Sequence, residues 1–401
     1  MKICIINSFY YPDIIGGAEV SVKHLAEKMV SKDNEISILC TGFKEEVKEI
    51  NKVKVYRIEE KNVYRAIDLL INKNINRNKL VLKIYHIIDF INLFNYKKIK
   101  EKLIEINPDV LHVNNIYGLS LIVIYISCKL NIPIVFTARD YSLLYEHNNN
   151  LLSKIKRIVT KKIMRNIDVI TAPSKYTLNY FDENGYRGKN MSEVIFNAID
   201  YDKSDVKKIH EYKINNILKK EKINFVYLGR LEKDKGILEL LRVFNKYKNK
   251  DIVLNIAGKG NEEKNVLEYA KKDNRIKYLG FLEEYELDKL LKESDVLIIP
   301  SRWPEPFGRV ILDAYKYCMP VIGTNMGGIP EIVDQNKTGI LINNNNLENE
   351  LEKAIIYFSK NKNILNNMIN IESKLNDFNI CIQVEKFTEV YKRIKMEKKH
   401  E

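Results

Sequence analysis

The residues best suited to chemistry in this chain are two cations and two carboxylates, three of the four set close to glycine or proline. Arg230 lies in Gly229-Arg230-Leu231 and Lys235 precedes Gly236. The Arg230 guanidinium is a planar fork that matches two phosphate oxygens, and Lys235 adds a point charge. Glu305 stands between Pro304 and Pro306, and Asp313 follows eight residues later. Between the two acids an apolar pattern of helical spacing opens at Phe307. The N–H groups of Phe307, Gly308, Arg309 and Val310 then begin a helix, lack intrahelical partners and suit a phosphate or another anion. Gly308 lets such a ligand approach the backbone closely. Each acid alone has a plainer explanation: Glu305 as a helix-dipole partner, Asp313 as a solvated surface residue.

Positioning these groups takes a repeated strand, loop and helix. Val296 to Ile299 is an apolar run of strand length, and Pro300, Pro304 and Pro306 break the backbone, so Ser301 to Glu305 is a loop. Phe307, Val310, Ile311, Ala314 and Cys318 form the buried stripe of the following helix. Met319 to Ile322 is the next apolar run. Phe225 to Leu228 likewise precedes the Arg230 loop, and Val253 to Ala257 precedes Gly258-Lys259-Gly260, a G-x-G that is weak alone. In the N-terminal half, Lys2 to Asn7 leads through Gly16 and Gly17 to a helix from Val20 to Val30. The paired glycines allow a tight turn and close approach of N–H groups to an anion. Further strands are read at Ile36–Thr41, Val53–Ile58, Val110–Val113, Asn131–Thr137, Val169–Ala172 and Val194–Phe196. Residues 60 to 105 read as helices, with an Asn-rich break from Asn74 to Asn78. Such alternation is the pattern of doubly wound α/β sheets, whose ligands bind beyond the carboxyl ends of the strands. Arg139 and Asp140 fall at such an end, where they are an ion pair about as often as a site.

Composition narrows the classes. With 401 residues the chain exceeds one ordinary core and suits two domains of about 200 residues each. Five scattered cysteines, odd in number and without a C-x-x-C pair, fit reduced cytosolic thiols rather than disulfides or zinc. The N-terminus lacks a signal-peptide pattern, and Leu119 to Ile126 falls short of the roughly 18 apolar residues of a membrane span. These features place the protein in the cytoplasm. A net charge of +13 points to an anionic partner surface. No zinc, RRM or KH signature accompanies it, so nucleic acid is not the expected partner. From Leu151 to Asn166 there are six basic residues and no acid, while Leu151, Ile155, Val159 and Ile163 repeat every four positions. Residues 61 to 102 are also basic, with interleaved apolar residues. Such segments either lie on anionic lipid at the inner face of the membrane or are ordinary surface helices with solvated lysines.

The string S-x-W-x-E-P-F-G-x-V-x-L-D-A from Ser301, followed by P-V-I-x-T-x-x-G-G-I-P-E from Pro320, resembles the donor-site signature of the retaining family-4 glycosyltransferases of the GT-B fold. That family includes many bacterial polysaccharide and lipopolysaccharide sugar transferases. G-R-L-x-x-x-K-G from Gly229 resembles its diphosphate loop, and Tyr278 to Leu282 its base-framing element. Gly16-Gly17-Ala18-Glu19 is similar to its first loop, Pro173-Ser174 to its "PS" element, and Asn197-Ala198-Ile199-Asp200 to its inter-domain N-G-I-D.

The resemblance implies an α/β protein of two Rossmann-like domains facing across a cleft. Residues 1–197, joined by a C-terminal helix at 380–396, would bind the acceptor, and residues 198–379 the nucleotide-sugar. It implies Glu305, Asp140, Arg230 and Lys235 as catalytic residues. Arg230, Lys235, Gly280, Phe281, Phe307, Gly308, Arg309, Val310 and Asp313 would hold the nucleotide. Gly16, Gly17, Arg139, Asp140, Ser174, Asn197 and Glu305 would face sugar or acceptor. The family's usual second glutamate is here Asp313, and its usual histidine is Arg139. The implied donor is a nucleotide-sugar, with UDP favoured, the acceptor a glycan or lipid-linked sugar, and no metal is required. Asp200-Tyr201-Asp202 is a chance D-x-D among lysines, in a charged linker that runs to about Glu221. Two other readings fit the same residues: a nucleotide-sugar epimerase of similar architecture, and a non-catalytic partner of a transferase, to which the departures at Arg139 and Asp313 point.

Overall fold

The computed structural model describes residues 1–71, 78–144, 150–368 and 371–400. It divides into two compact units, Met1–Asn197 with Ile380–Glu401, and Ala198–Asn379. Of the expected Asn-rich break, Asn74 to Arg77 lie outside the described residues. Asn78 caps the helix Lys79–Phe90, its side chain accepting from the Leu80 N–H.

In the first unit β1 (Lys2–Ile6), β2 (Glu35–Gly42), β3 (Glu46–Ile50), β4 (Val53–Glu59), β5 (Val110–Val113), β6 (Ile134–Thr137), β7 (Val169–Ala172) and β8 (Glu193–Val194) form one sheet. Its order is β3-β4-β2-β1-β5-β6-β7-β8, so the winding reverses between β1 and β5. Every pairing is parallel except β3 with β4. The central strands are continuous apolar runs because helices cover both faces. Ile3, Ile5, Ile36, Ile38 and Val110 pack with Val22 and Leu25 of the helix Gly17–Met29. Phe387, Val390, Tyr391 and Ile394 of the helix Ile380–His400 join the same core. β3 was not anticipated. Its sequence, Glu-Val-Lys-Glu-Ile, carries one strongly apolar pair among charges, which suits an exposed edge. Asn51 and Lys52, at φ 49° and 66°, form the hairpin turn that returns it to β4.

The second unit holds β9 (Ile223–Leu228), β10 (Ile252–Ala257), β11 (Ile276–Gly280), β12 (Val296–Ile299), β13 (Val321–Thr324) and β14 (Gly339–Ile342). Its order is β11-β10-β9-β12-β13-β14, parallel throughout, with the reversal between β9 and β12. The stretch expected as a charged linker before β9 is instead the helix Lys203–Ile217. Asp202 of the D-x-D string caps it by accepting from the Ser204 N–H at 2.7 Å. None of the five cysteines, all among the described residues, is in a disulfide. No described helix is long and apolar enough to cross a membrane.

A buried polar chain ties the last helix of the first unit to its sheet. His112 of β5 shares a 2.6 Å hydrogen bond with the Tyr391 hydroxyl through Nδ1 and a 2.7 Å bond with Thr137 through Nε2. Burial, and then the Arg139 charge, hold the imidazole well below its ordinary pKa. The folded protein therefore keeps His112 neutral while the unfolded chain takes up a proton below about pH 6.5, so this group lowers stability as pH falls through that value. Glu60, pushed up to about 8 by burial, and Asp89, to about 6 for the same reason, act in the opposite sense. The expected outcome is a difference between proteins. Urea unfolding of His112→Gln should lose an acid-side slope of up to about 1.4 kcal/mol per pH unit that the parent shows below pH 6.5. Equal slopes in the two proteins would refute this role.

Candidate active site

The four loops that follow β9, β10, β12 and β13 are joined edge to edge, and most of the joints are backbone. After β9, Leu231 N–H donates to the Lys259 carbonyl and Glu262 N–H to the Leu231 carbonyl. A Cβ at Gly258 would stand 1.9 Å from the Gly229 oxygen, and one at Gly260 2.2 Å from the Leu231 oxygen. That G-x-G, weak as a motif, lets two loops touch. On the other side, the Asp234 carbonyl accepts from Arg302 N–H at 2.8 Å and Trp303 N–H at 3.0 Å. Gly236, at φ +70°, packs so closely on Pro300 that a Cβ would lie 1.8 Å from its carbonyl oxygen. The β9 and β12 loops thus meet at the point where the winding reverses, the usual place for a ligand in an open parallel sheet.

This join brings Lys235 and Glu305 together. Lys235 Nζ donates to Glu305 Oε1 at 2.7 Å, and the Ser301 hydroxyl donates to the same oxygen at 2.9 Å. Each of the two charged side chains is 16% exposed, so the pair is partly desolvated yet reachable. Oε2 makes no hydrogen bond with the described residues. The Glu305 carbonyl accepts from Gly328 N–H at 2.7 Å, and a Cβ at Gly327 would come within 2.3 Å of it. The β13 loop therefore fixes the Glu305 backbone from behind. Arg230 is exposed, and its own carbonyl is held by the Tyr227 hydroxyl at 2.7 Å. Burial pushes the Tyr227 phenol far above its ordinary pKa, with the Glu305 and Asp234 charges adding to the effect, so it acts here as a neutral donor.

The helix expected from Phe307 begins later, at Val310, with Arg309 as its cap. Gly308 sits at φ +90°, outside the helical region, which ends the helical path before Phe307. The N–H groups of Ile311 and Leu312 bond to the Gly308 and Arg309 carbonyls at 2.9 Å each. Of the four amides expected to face an anion, those of Phe307, Gly308 and Arg309 thus precede the helix and that of Val310 opens it. The Phe307 side chain is buried against Phe378, so the ring is framework. Asp313 is engaged by Arg309, whose Nη1 reaches both carboxylate oxygens at 2.9 and 2.8 Å. Gly280, at φ +71°, has nothing within 4 Å of a would-be Cβ, and Phe281 beside it is 59% exposed.

In the first unit several expected roles change. Gly16 adopts extended φ of −165°, and ten residues separate β1 from its helix, so the glycine pair makes no tight strand-to-helix turn. The Gly16 N–H is taken by the Glu19 carboxylate at 2.8 Å, which supplies the anion from within the chain. Gly17 is the first helical residue. Ser174 is fully buried and caps the helix Lys175–Glu183, accepting from the Thr177 N–H. Arg139 is 8% exposed; its Nε donates to Asn114 Oδ1 and its Nη1 to Asn197 Oδ1, both at 2.6 Å, while Nη2 is buried with no hydrogen-bond partner among the described residues. Burial lowers its pKa to about 10. Asp140 is partly exposed, with Oδ1 accepting from the Ser142 N–H at 2.8 Å. Burial raises the Glu19 carboxyl, and the Asp140 charge adds to that while Arg139 opposes it. Glu19, Arg139 and Asp140 therefore share one electrostatic neighbourhood at the carboxyl edge of the sheet.

Comparison with known proteins decides the family. Residues 208–374 match the model for glycosyl transferases group 1, and residues 15–203 that for glycosyltransferase family 4. The chain belongs to the family-4 glycosyltransferases. It is 28% identical over 345 residues to an uncharacterized 42.6 kDa protein in the cps region of Klebsiella pneumoniae, covering 83% of this chain and 87% of that protein. An uncharacterized glycosyltransferase of Methanocaldococcus jannaschii is 27% identical over 373 residues, 91% of this chain and 90% of that one. The fold is GT-B. Anabaena HepE, solved in complex with UDP and glucose, superposes with a TM-score of 0.69 at 19% identity, covering 97% of this chain and 99% of the other. Sucrose-phosphate synthase of Thermosynechococcus elongatus gives 0.72 at 16% identity, with 98% of each chain covered.

In this glycosyltransferase, sequence reasoning missed Ser301, Tyr227, Asp234 and Gly327, which hold the named residues through hydrogen bonds and close backbone contacts. Gly236 and Gly280 separate steric from conformational effects. Both have positive φ, yet only Gly236 lies against backbone. Gly280→Ala is expected to cost about 1 kcal/mol, whereas Gly236→Ala should cost at least about 2–3 kcal/mol, because a carbonyl must also move. Chemical denaturation checks the order, and equal losses would show that the Pro300 contact relaxes freely.

Proposed function

We propose that this glycosyltransferase moves a hexosyl group from a nucleotide-sugar, a UDP-sugar, to a glycan or lipid-linked acceptor with retention of anomeric configuration. The setting is cell-surface polysaccharide assembly, lipopolysaccharide included, at the cytoplasmic face of the membrane. The observation that carries this reading is the Lys235–Glu305 pair at the β9/β12 reversal, with the exposed Arg230 fork on the same loop as Lys235. Structural relatives crystallised with UDP or UDP-glucose support the donor class.

In this mechanism the bond between the sugar C1 and the diphosphate oxygen breaks, and a bond from C1 to the acceptor oxygen forms on the same face. The acceptor proton passes to the departing phosphate oxygen. Negative charge grows on the diphosphate, where Arg230, Lys235 and the amides of Gly308 and Arg309 stabilise it without a divalent ion. Glu305, fixed through Oε1, presents Oε2 to the sugar and stabilises the positive charge developing there. Asp140 orients the acceptor hydroxyl. For the nucleoside, Asp313 holds the ribose once it leaves Arg309, and Gly280 and Phe281 frame the base.

Calorimetric titration with UDP, GDP and ADP in EDTA tests the donor site. UDP is expected to bind, Arg230→Ala to weaken it at least about tenfold, equivalent to about 1.4 kcal/mol, and Glu305→Gln to keep nucleotide binding. With donor and acceptor, Glu305→Gln should abolish transfer. Binding by none of the three nucleotides, or binding that EDTA removes, would sink this donor-site reading.

A further inference from the structure

The helix Leu151–Met164 is built inside out. Its buried residues are Lys156, Thr160 and Met164, while Leu151, Leu152, Ile155 and Ile158 face outward. At 100° per residue Leu151, Ile155 and Ile158 fall on one line, directly opposite Lys156 and Thr160. The expected stripe therefore holds in spacing, but its first half points away from the core, with Val159 and Ile163 half-buried at its margin. The helix Lys79–Phe90 repeats the arrangement. Leu80, Ile84 and Ile87 lie on one line by the same steps of four and three, and Tyr85 is buried on the other side. These six outward residues are between 41% and 74% exposed.

The two helices are neighbours. Lys156 Nζ donates to the His86 carbonyl at 2.6 Å and lies 5.1 Å from the Phe90 ring centroid. Leu93 and Phe94, just beyond the second helix, are exposed as well. Single exposed leucines are ordinary, but two adjacent helices each presenting a line of them are a patch that needs a cover. Around the lines stand the exposed cations Lys79, Lys83, Lys154, Lys162 and Arg165, and the helix Leu151–Met164 contains no acid. Leucine and isoleucine at the centre with lysine beside them match a bilayer surface, where apolar side chains enter the acyl boundary and ammonium groups stay among anionic headgroups. A second protein copy would need the same basic rim to meet itself, which like charges oppose.

We infer that this two-helix face of the first unit docks on an anionic lipid leaflet. The inference deepens the reading of a lipid-linked acceptor and names the surface that would meet the membrane carrying it. Lys156 is thereby explained: it anchors the helix from within and leaves its apolar line for lipid.

Vesicle co-sedimentation of the full chain tests this, with phosphatidylcholine alone and with phosphatidylcholine mixed with phosphatidylglycerol. Binding is expected to the mixed vesicles only and to fall as salt is raised. The variant Leu151→Ser/Ile155→Ser/Ile158→Ser and the variant Lys154→Gln/Lys162→Gln should each lose about tenfold or more in vesicle affinity. All five positions are exposed, so UDP titration should read alike in parent and variants. Parent protein that stays with the supernatant, or variants that sediment like the parent, would overturn the inference. So would a dimer, seen by light scattering in the parent and lost in the serine variant, without vesicle binding. Loss of UDP binding with vesicle binding intact would count against the proposed donor site and leave this face standing.

Discussion

The Asp234 carbonyl is the joint on which the Lys235–Glu305 geometry depends. It accepts two consecutive N–H groups, from Arg302 and Trp303, and so clamps the loop after β12 to the loop after β9. Without that clamp Lys235 and Glu305 would sit on separate loops with independent freedom. The salt bridge between them is a consequence of the backbone joint, since a partly exposed pair contributes little to holding loops. Gly236 permits the joint by bringing its backbone onto the Pro300 carbonyl at a positive φ. The carbonyl–amide bonds set distances, and the charges then act at those distances.

That order of causes bears on reactivity. Preorganised charge works because it need not move when the transition state forms. Glu305 has Lys235 and Ser301 on one oxygen and Gly328 on its own carbonyl. Its side chain and its backbone are therefore fixed separately. Arg230 is the opposite case, with an anchored carbonyl and an exposed guanidinium. In the proposed mechanism, a fixed acid for the sugar and an exposed fork for the diphosphate suit a site that must keep one group in register and close over the other. Asp313 is a third case. Shorter by one methylene than the glutamate usual in its family, it is satisfied by Arg309 on the preceding turn.

Much of the second unit was legible because its strands are short apolar runs ended by glycine or proline. β9, β10 and β12 differ from the expected spans by two residues at most. The helix at Val310 was placed too early because Phe307 continues the apolar spacing. Periodicity reports burial, and Phe307 is buried, but from a loop. Polar structure was less readable. β3 has almost no apolar signal, and the helix Lys203–Ile217 was taken for a linker because of its many charges. Side-chain hydrogen bonds were the least legible. Nothing local in the sequence says that Arg139 gives two of its nitrogens to Asn114 and Asn197, since both partners are set by distant strand ends.

The helix Leu151–Met164 shows a deeper limit of the same kind. A spacing of four and three residues establishes that a helix has an apolar line, but it does not say toward what the line points. In water the core is the only apolar solvent, so inward is the standing assumption. Here the inward side holds Lys156, which finds the His86 carbonyl, and Thr160. Burying a lysine while exposing leucine and isoleucine reverses the ordinary transfer preference, because a buried cation is costly even when hydrogen-bonded. A folded protein holds such an arrangement against the gradient of water. The gradient changes sign at an interface with acyl chains on one side, where the exposed line becomes the buried one. The arrangement is therefore consistent with one solvent boundary and inconsistent with another, and it is the boundary that the sequence leaves unstated.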